Sequence, residues 1–366
     1  MENDLLYKVA LTLLPDIGDV RAKNLIAYCG SVEAVFKEKE SALRKIPGVG
    51  EVIAKQISKS DVMERAEEEL KFIQAEKISP IFYLDEDYPK RLKHCEDSPV
   101  MIYYKGNADL NASKVVCIVG SRAATEYGKD MCAKIVDELA DLHVMIVSGL
   151  AYGIDVCAHK AALKNDLETI GVLAHGLDMI YPSTHTNIAD KMSKQGGLLT
   201  EFPSLTKMHP DLFPKRNRIV AGLCDAVIVV EAAEKSGSLI TAGLANGYNR
   251  DVFAVPGRNG DTQSEGCNNL IKTNRAALLQ SAKDITYLLG WEENEKKPKH
   301  IQTEIFIGFN ADEQVLVNII QEKGKINIDE LSLLAEFTMS KTASVLLNLE
   351  FSGIIKSLPG KVYQLH

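Results

Sequence analysis

The central stretch of the chain, residues 113–290, alternates short β-branched runs with helical segments. This alternation indicates parallel strands joined by crossover helices, because two parallel strands cannot be connected by a tight turn. We therefore predict an α/β fold with a doubly wound, mainly parallel sheet. The expected strands lie at residues 115–119, 144–147, 169–173, 226–230 and 252–255.

Residues 1–60 contain a short internal repeat. The segments 14–18 and 46–50 share a proline and a glycine, and each is followed by Ala, Lys and an aliphatic residue at the same offsets. The pattern resembles helix-hairpin-helix modules, in which glycine lets the backbone approach a phosphate. We predict an N-terminal all-α (helix-hairpin-helix/SAM-like) domain. Asp16 places a carboxylate where a phosphate would lie, and such modules often serve only as protein scaffolds, so a helical domain without DNA contact is the favoured interpretation.

Three further segments surround the central one. Residues 61–112 run from a charged helical stretch into an apolar run, and we interpret them as a lead-in that adds an edge strand. Residues 291–304 are polar and charged and contain one proline, which is typical of a linker. Residues 305–366 combine three helical stretches with a hairpin around Pro359-Gly360, and this pattern predicts a C-terminal winged helix.

Charge and cysteine content limit the classes of function. The formal net charge is −8 and no segment is strongly basic, so any polyanion site must be a local patch. The seven cysteines include no CxxC pair, which argues against a disulfide framework or a structural zinc site and fits a reducing cytoplasm. No apolar run approaches the roughly 20 residues that span a bilayer, and the acidic start lacks the features of a secretion signal. We expect a cytoplasmic protein with no metal, no cofactor and no membrane span.

Polar turns follow several predicted strands, and in a doubly wound sheet such turns meet at the edge where ligands bind. Gly120-Ser121-Arg122 ends the first strand and offers N–H groups, a hydroxyl and a guanidinium to one anion. Gly149 and Gly153 allow close approach of a ligand at the second strand. Ser236-Gly237-Ser238 opens a helix after the fourth strand and forms another anion cradle.

The clearest positive spot lies in residues 213–222. Lys215, Arg216 and Arg218 are three cations within four residues, beside Phe213 and Asn217. Lysine and arginine neutralise phosphates, whereas an aromatic ring or an amide contacts bases. This pattern predicts a nucleic-acid contact rather than a solvated basic turn.

Signals for catalysis are weaker. Asp155 and His159 stand four residues apart in one predicted helix and could form a catalytic pair, but a packed histidine bonded to Asp155 is the better interpretation. The sequence has no P-loop, no HExxH, no GxSxG and no carboxylate cluster that would hold magnesium. We therefore predict no catalytic residue.

Together these motifs resemble the DNA-processing protein DprA (Smf) family across residues 113–280. The resemblance implies that residues 113–290 form a Rossmann-like domain without enzymatic activity. It further implies binding and protection of single-stranded DNA, loading of the RecA recombinase during natural transformation, and a homodimer. The blocks that carry it are residues 120–122, 148–163, 197–203, 213–222, 236–242, 252–257 and 266–271.

The resemblance also implies roles for particular residues. Arg122 would clamp a phosphate, and the cations after Phe213 would line the same groove. The implied contacts to single-stranded DNA are Gly120, Ser121, Arg122, Gly149, Gly153, Phe213, Lys215, Arg216, Asn217, Arg218, Ser236, Gly237 and Ser238. The implied dimer contacts are Leu270, Ile271 and Leu278.

Two positions depart from the family pattern. Ser183 follows Tyr181-Pro182 where many relatives carry a lysine, so one cation of the groove is expected to be absent. Residues 273–276 replace a usual Gly-Ala step, so the dimer contact is expected to differ in detail.

Two other functions remain as alternatives. Nucleotide phosphoribohydrolases of the lysine-decarboxylase-like group share the architecture, but they carry a glutamate after the glycine-rich turn that residues 236–242 lack. A winged-helix regulator of duplex DNA is the second alternative. The expected recognition helix exposes Lys341, Ser344 and Asn348, and this single cation favours a protein contact over duplex binding.

Overall fold

The computed structural model describes residues 2–59, 61–291 and 309–366. These residues form two compact units that divide after Leu278. Apart from Trp291, the predicted linker 291–304 lies outside the described residues, as do residues 305–308 of the predicted winged helix.

The first unit begins with helices whose apolar faces form one core cluster around Leu11, Leu25 and Val35. The internal repeat extends to the backbone, because Asp16 and Gly48 occupy equivalent turns with φ of 59° and 81°. The helices are α1 (Glu2–Leu13), α2 (Asp19–Cys29), α3 (Val32–Lys37), α4 (Glu40–Leu43), α5 (Glu51–Lys59) and α6 (Val62–Ala75).

A nine-stranded sheet follows in the same unit, with the strand order β1-β2-β6-β5-β4-β3-β7-β8-β9. Strands β1 and β2 pair antiparallel, and β2 also pairs antiparallel with β6, whereas the ladders from β6 to β9 are parallel. The strands are β1 (Ser79–Phe82), β2 (Met101–Gly106), β3 (Val115–Val119), β4 (Met145–Ser148), β5 (Thr169–Val172), β6 (Gly196–Thr200), β7 (Ala226–Val229), β8 (Asp251–Ala254) and β9 (Ala277–Leu278).

The five strands expected from the β-branched runs are β3, β4, β5, β7 and β8, each within a residue or so of its predicted bounds. Strand β6 was missed because it begins with Gly196 and Gly197, and glycine is depleted in strands. The lead-in contributes two strands rather than one. The predicted domain start at residue 113 therefore separates β1 and β2 from the sheet to which they belong.

Helices cover both faces of the sheet. Val115, Cys117 and Val119 of β3 share a core cluster with Ile219 and Ala242, while the intervening side chains of β3 are buried on the other face. This double coverage explains why β3 is apolar throughout. The helices are α7 (Lys90–Lys93), α8 (Glu126–Leu139), α9 (Ile154–Lys164), α10 (Thr186–Met192), α11 (Leu212–Gly222), α12 (Ser238–Gly247) and α13 (Glu265–Lys272).

The strand order reverses at β3. Strands β4, β5 and β6 extend to one side of it and β7 and β8 to the other. In sheets of this class the crevice at such a switch point lies beyond the carboxyl ends of the strands and is the usual ligand site. The turn at Gly120 therefore stands at the position where a ligand is expected.

The second unit has the topology of a winged helix. Its core includes Leu316, Ile320, Leu331 and Leu346 together with other apolar residues. The strands form an antiparallel sheet of order β10-β12-β11, and the predicted hairpin lies between β11 and β12. The elements are α14 (Ala282–Leu288), α15 (Ala311–Lys323), β10 (Lys325–Asn327), α16 (Ile328–Leu334), α17 (Met339–Phe351), β11 (Ile355–Leu358) and β12 (Val362–Leu365).

Helix α17 is the expected recognition helix. Lys341, Ser344 and Asn348 are exposed on it, as predicted. The ammonium group of Lys341 lies 2.8 Å from a carboxylate oxygen of Asp312 and 3.9 Å from the ring centroid of Phe337. The one cation on this face is therefore already paired with a carboxylate.

Candidate nucleic-acid interface

The turn that follows β3 is held by backbone contacts. The N–H of Ser121 donates to the carbonyl of Glu231 beyond β7, with a distance of 2.7 Å. A Cβ on Gly120 would lie 2.5 Å from Cγ1 of Ile154, so a larger residue would clash with the first residue of α9. The hydroxyl of Ser121 is turned inward and donates to the side chain of Gln263 at 3.2 Å.

Gly153 fixes the same turn from the opposite side. Its φ is +80°, and a Cβ there would overlap the carbonyl oxygen of Ser121 and lie 2.7 Å from that of Arg122. The N–H of Ile154 also donates to the Ser121 carbonyl, at 3.2 Å. Because these contacts join backbone to backbone, they fix the position of the backbone from which the Arg122 side chain projects.

The side chain of Arg122 is exposed beside three aromatic rings. Its guanidinium carbon lies 5.2 Å from the ring centroid of Phe213, within cation–π distance. The Phe213 and Tyr181 rings lie 6.4 Å apart, and Tyr181 and Tyr152 are 49% and 48% exposed. We call Arg122, Tyr152, Tyr181 and Phe213 the Arg122 face; they surround a small pocket of about 40 Å³.

Arg216 differs from the prediction that it lines an open groove. It is 5% exposed, and its guanidinium donates to the carbonyl of Val172 and to the side chain of Asn217, the latter at 3.2 Å. Burial lowers the pKa of Arg216, and the neighbouring Asp155 opposes this shift. Arg216 therefore supplies positive charge from the floor of the pocket and does not reach out to a strand.

Arg218 is also not available as predicted. Its guanidinium pairs with Asp19 at 3.0 Å and with Glu201, and it donates to the carbonyl of Asp97. The side chain is 11% exposed. Arg218 therefore ties α11 to α2 of the helical N-terminal part. Among the three predicted cations, only Lys215 is exposed.

The serine turn before α12 stands beyond β7, the neighbour of β3. The hydroxyls of Ser236 and Ser238 lie 2.8 Å apart and bond to each other, and Gly237 between them is exposed. Ser238 is buried, so Ser236 and the backbone of Gly237 are the parts of this turn that a ligand could reach.

Gly149 packs against charged groups at the end of β4. A Cβ there would lie 2.5 Å from Nη2 of Arg216 and 2.5 Å from Oδ2 of Asp155. Burial raises the pKa of Asp155 while Arg216 lowers it, and this opposition is expected for a buried acid beside a cation. Gly149 is itself buried and does not offer open backbone to a ligand.

His159 is a packed histidine, but its predicted partner is wrong. Its Nδ1 lies 2.7 Å from the hydroxyl of Thr169 and its Nε2 lies 2.5 Å from the carbonyl of Gly149, and neither nitrogen bonds Asp155. Burial lowers the pKa of His159 to about 4. A neutral ring with both nitrogens bonded is not available as a general base.

Glu231, one of the two glutamates that precede the serine turn, has a structural role. Glu231 is 1% exposed and accepts hydrogen bonds from the N–H and the hydroxyl of Thr125, at 2.9 and 2.6 Å. It thereby fixes the start of α8. This arrangement gives no support to the phosphoribohydrolase alternative, which needs a carboxylate facing the substrate.

The predicted dimer residues differ in exposure. Leu270 is 5% exposed in the main core cluster, and Ile271 packs against that cluster. Leu278 is 43% exposed on β9, the last strand in the sheet order. Leu270 therefore supports the fold from inside, and Leu278 is the residue of this group that can contact a partner.

The sequence prediction omitted Tyr152 and Tyr181, which the structure places on the Arg122 face. Tyr152 lies directly before Gly153 and Tyr181 lies two residues before Ser183, and this proximity to residues already singled out was the available signal. Ser183 is exposed and provides no cation. Within residues 2–59, 61–291 and 309–366 no group of three or more His, Cys, Asp or Glu is placed to hold a metal ion, and no helix is long and apolar enough to cross a membrane.

Comparison with known proteins identifies the family. The model for DNA recombination-mediator protein A matches residues 79–290. The chain belongs to this family. A SAM-like helix-hairpin-helix tandem model matches residues 9–60, so the predicted fold of the N-terminal part is confirmed as well.

Individual family members agree with this assignment. Protein Smf of Synechocystis sp. is 31% identical to the chain and the match covers 98% of both proteins. The X-ray structure of DprA from Streptococcus pneumoniae has a TM-score of 0.68 and 34% identity, covering 76% of this chain and 96% of that one. A Helicobacter pylori DprA structure, solved to explain that protein's single-stranded DNA binding mode, has a TM-score of 0.52 and 31% identity, covering 57% of this chain and 94% of that one.

Proposed function

We propose that this recombination mediator binds single-stranded DNA on the Arg122 face, with little base preference. The observation that carries the proposal is the exposed Arg122 guanidinium, held over Phe213 at the switch point of the sheet. A guanidinium pairs with a phosphate in two hydrogen bonds, and exposed aromatic rings stack on bases of any sequence. The DNA-binding mode described for the Helicobacter pylori relative supports the same class of ligand.

The contacts divide between two types of group. Arg122 and Lys215 would neutralise phosphates, Tyr152 and Tyr181 would stack on bases, and Ser236 would add a hydrogen bond. Arg216 would act through its buried charge, which raises the local positive potential in a chain of net charge −8. Gly120 and Gly153 would contribute by holding the turn, and the role first expected of Arg218 is excluded from this proposal by its ion pairs.

The rest of the function follows the family resemblance. We propose that the protein works in the cytoplasm without catalysis, as a homodimer with Leu278 at the contact, and loads RecA on the bound strand. The proposed organisation is an N-terminal helical domain (1–60), a DNA-binding domain in which residues 113–290 share one sheet with the two strands of the lead-in (61–112), a linker (291–304) and a winged helix (305–366). A dimer joins two binding faces, so that two modest sites act as one tighter site. Faster RecA-dependent ATP hydrolysis on a strand covered by single-strand binding protein would support the loading step.

Fluorescence anisotropy with a labelled oligo-dT and the matching duplex, measured across a salt series, tests the DNA site. Arg122→Ala should weaken binding of the single strand by about tenfold to a hundredfold, the usual effect of losing a hydrogen-bonded ion pair. It should also reduce the slope of log K against log salt by about 0.7, the value for one phosphate contact on a single strand. Lys134→Ala is the control, because it removes one exposed cation from α8, the helix that follows Arg122.

The outcomes separate the candidate functions. Weaker binding and a shallower salt slope in Arg122→Ala alone support the proposed site. An equal loss of binding in Lys134→Ala would mean that the assay reports the overall charge of the protein rather than a contact made by Arg122. Unchanged binding in Arg122→Ala would place the DNA site elsewhere on the chain, and preference for the duplex would favour the winged-helix alternative.

A further inference from the structure

A second basic surface lies between α9 and α10. Lys160 and Lys164 project from α9, while Lys191 stands on α10 and Lys194 just after it. All four side chains are exposed and line a groove of about 760 Å³, which we call the lysine groove. Of these four lysines, Lys160 falls within the block 148–163 that carries the family resemblance, and the other three lie outside every such block.

The charge of the lysine groove is not compensated locally. Its lining residues include no aspartate or glutamate. Among the described residues, none of the four lysines forms a salt bridge, although other lysines on the same unit do, such as Lys129 with Glu126 at 2.6 Å. Four like charges without partners raise the local potential and attract a polyanion.

The floor of the lysine groove is apolar. Val156 is buried, and Leu163 and Ile188 are half-buried along its base. Thr184, Asn187 and Gln195 add hydrogen-bonding groups at the wall. Cations at the rim with an apolar floor suit a ligand that has an anionic backbone and flat apolar faces, which is the chemistry of a nucleic acid single strand.

The lysine groove adjoins the Arg122 face. The hydroxyl of Thr184 donates to the hydroxyl of Tyr152 at 3.2 Å, and the Tyr152 and His185 rings meet edge to face with centroids 5.0 Å apart. Tyr152 lines the pocket beside Arg122, whereas Thr184 and His185 line the lysine groove. The two surfaces therefore share one wall, and a strand that passes Tyr152 enters the lysine groove directly.

We propose that the lysine groove binds the backbone of the same DNA strand after it has crossed the Arg122 face. This inference rests on the proposed function, since it extends that site to a longer strand. The Arg122 face holds the first few nucleotides, and the four lysines hold those that follow. The lysine groove also provides cations on the side of the site where Ser183 leaves one missing.

An acidic peptide is the other ligand that four lysines attract. Continuity favours DNA, because the wall formed by Tyr152 and His185 joins the lysine groove to the surface where bases are expected to stack. A peptide site would have no need of that connection. Competition with poly-glutamate distinguishes the two ligands.

The test compares two labelled oligo-dT lengths, about 6 and about 20 nucleotides, within the range of known single-strand site sizes and beyond it. The variant is Lys191→Ala/Lys194→Ala, and the matched control is Lys90→Ala/Lys93→Ala, which removes two exposed lysines of the same spacing from α7. The groove variant should bind the short strand like the wild type and the long strand about tenfold more weakly. Its salt slope for the long strand should be smaller by about 1.4, for two lost phosphate contacts.

Each outcome has one meaning. Loss on the long strand alone, absent from the control, supports the lysine groove. If Arg122→Ala weakens both strands and the groove variant weakens neither, the lysine groove proposal is wrong and the proposed function stands. If the groove variant weakens both strands and Arg122→Ala weakens neither, the primary site on the Arg122 face is wrong, and the groove is not its continuation. If the groove variant loses binding of poly-glutamate but binds both DNA strands like the wild type, the groove belongs to an acidic peptide and the proposal is overturned.

Discussion

Replacing Gly153 with alanine tests whether the backbone of one loop positions the guanidinium of Arg122. The added Cβ would overlap the carbonyl oxygen of Ser121, and the carbonyl carbon and oxygen of Arg122 would lie at 2.8 and 2.7 Å. These are backbone atoms, so no side-chain rotation relieves the overlap. The loop that carries Arg122 must move, or Gly153 must leave its left-handed conformation.

The cost has two parts. A residue with a Cβ at a left-handed φ loses about 1–2 kcal/mol relative to glycine. Overpacking against a fixed neighbour adds about 1–3 kcal/mol. We therefore expect Gly153→Ala to lower the free energy of unfolding by about 2–5 kcal/mol and to weaken single-strand binding about tenfold, or about 1.4 kcal/mol.

Urea unfolding followed by circular dichroism measures the first quantity, and anisotropy with labelled oligo-dT measures the second. Gly247→Ala is the control, because nothing lies within 4 Å of its added Cβ and its φ is not positive. Alanine at the end of α12 should leave the free energy of unfolding within about 1 kcal/mol of the wild type. If Gly153→Ala unfolds within about 0.5 kcal/mol of the wild type and binds DNA normally, the loop contacts do not position Arg122 and the reasoning is refuted.

Three further predictions follow from individual contacts. Burial lowers the pKa of His159 from 6.5 to about 4, so the imidazole of the unfolded chain becomes protonated at a higher pH than that of the folded chain. The free energy of unfolding should therefore fall by up to about 3 kcal/mol as the pH drops from 6.5 to 4. His159→Asn should flatten this pH dependence in urea titrations over the same range. Phe213→Leu removes the ring beneath Arg122 and should weaken single-strand binding by about twofold to fivefold in anisotropy, which is the usual size of a cation–π contact. The urea midpoint should not fall. A loss of binding as large as that of Arg122→Ala would contradict the prediction that the ring contributes less than the guanidinium. Asp19→Ala leaves Arg218 with one carboxylate fewer and should cost about 1–3 kcal/mol, seen as faster proteolysis in the N-terminal helices, and an unchanged cleavage rate would show that this ion pair does not hold them.

The sequence was sufficient for elements whose signal is local. The β-branched runs predicted five of the parallel strands, and the helical stretches followed by a hairpin predicted the winged helix. Strand β6 escaped because Gly196 and Gly197 carry no side-chain preference, and its place in the sheet is decided by pairing with β5 and β2. Parallel pairing joins residues far apart in the chain, which no local pattern encodes.

The candidate site was predicted less completely than the fold. Lys215, Arg216 and Arg218 are chemically similar in the sequence, yet one is exposed, one lies under the pocket and one is ion-paired. The helical period contained part of the answer, because Arg216 shares a face of α11 with the buried Ile219 and Val220. The ion pair of Arg218 with Asp19 could not be predicted in this way, since Asp19 is distant in sequence and only folding brings it near.

By itself, the sequence determined the family, the class of fold, the turn that presents Arg122 and the acidic balance that confines a polyanion site to a patch. Only the tertiary structure decided which cations face solvent, that Tyr152 and Tyr181 stand beside Arg122, and that two lysines of α9, one of α10 and one just after α10 line one groove. The physical reason is that residue type and spacing determine secondary structure and the buried face of each helix. The exposure and the partners of a charged side chain depend on which elements pack next to it, and this is settled by the fold as a whole.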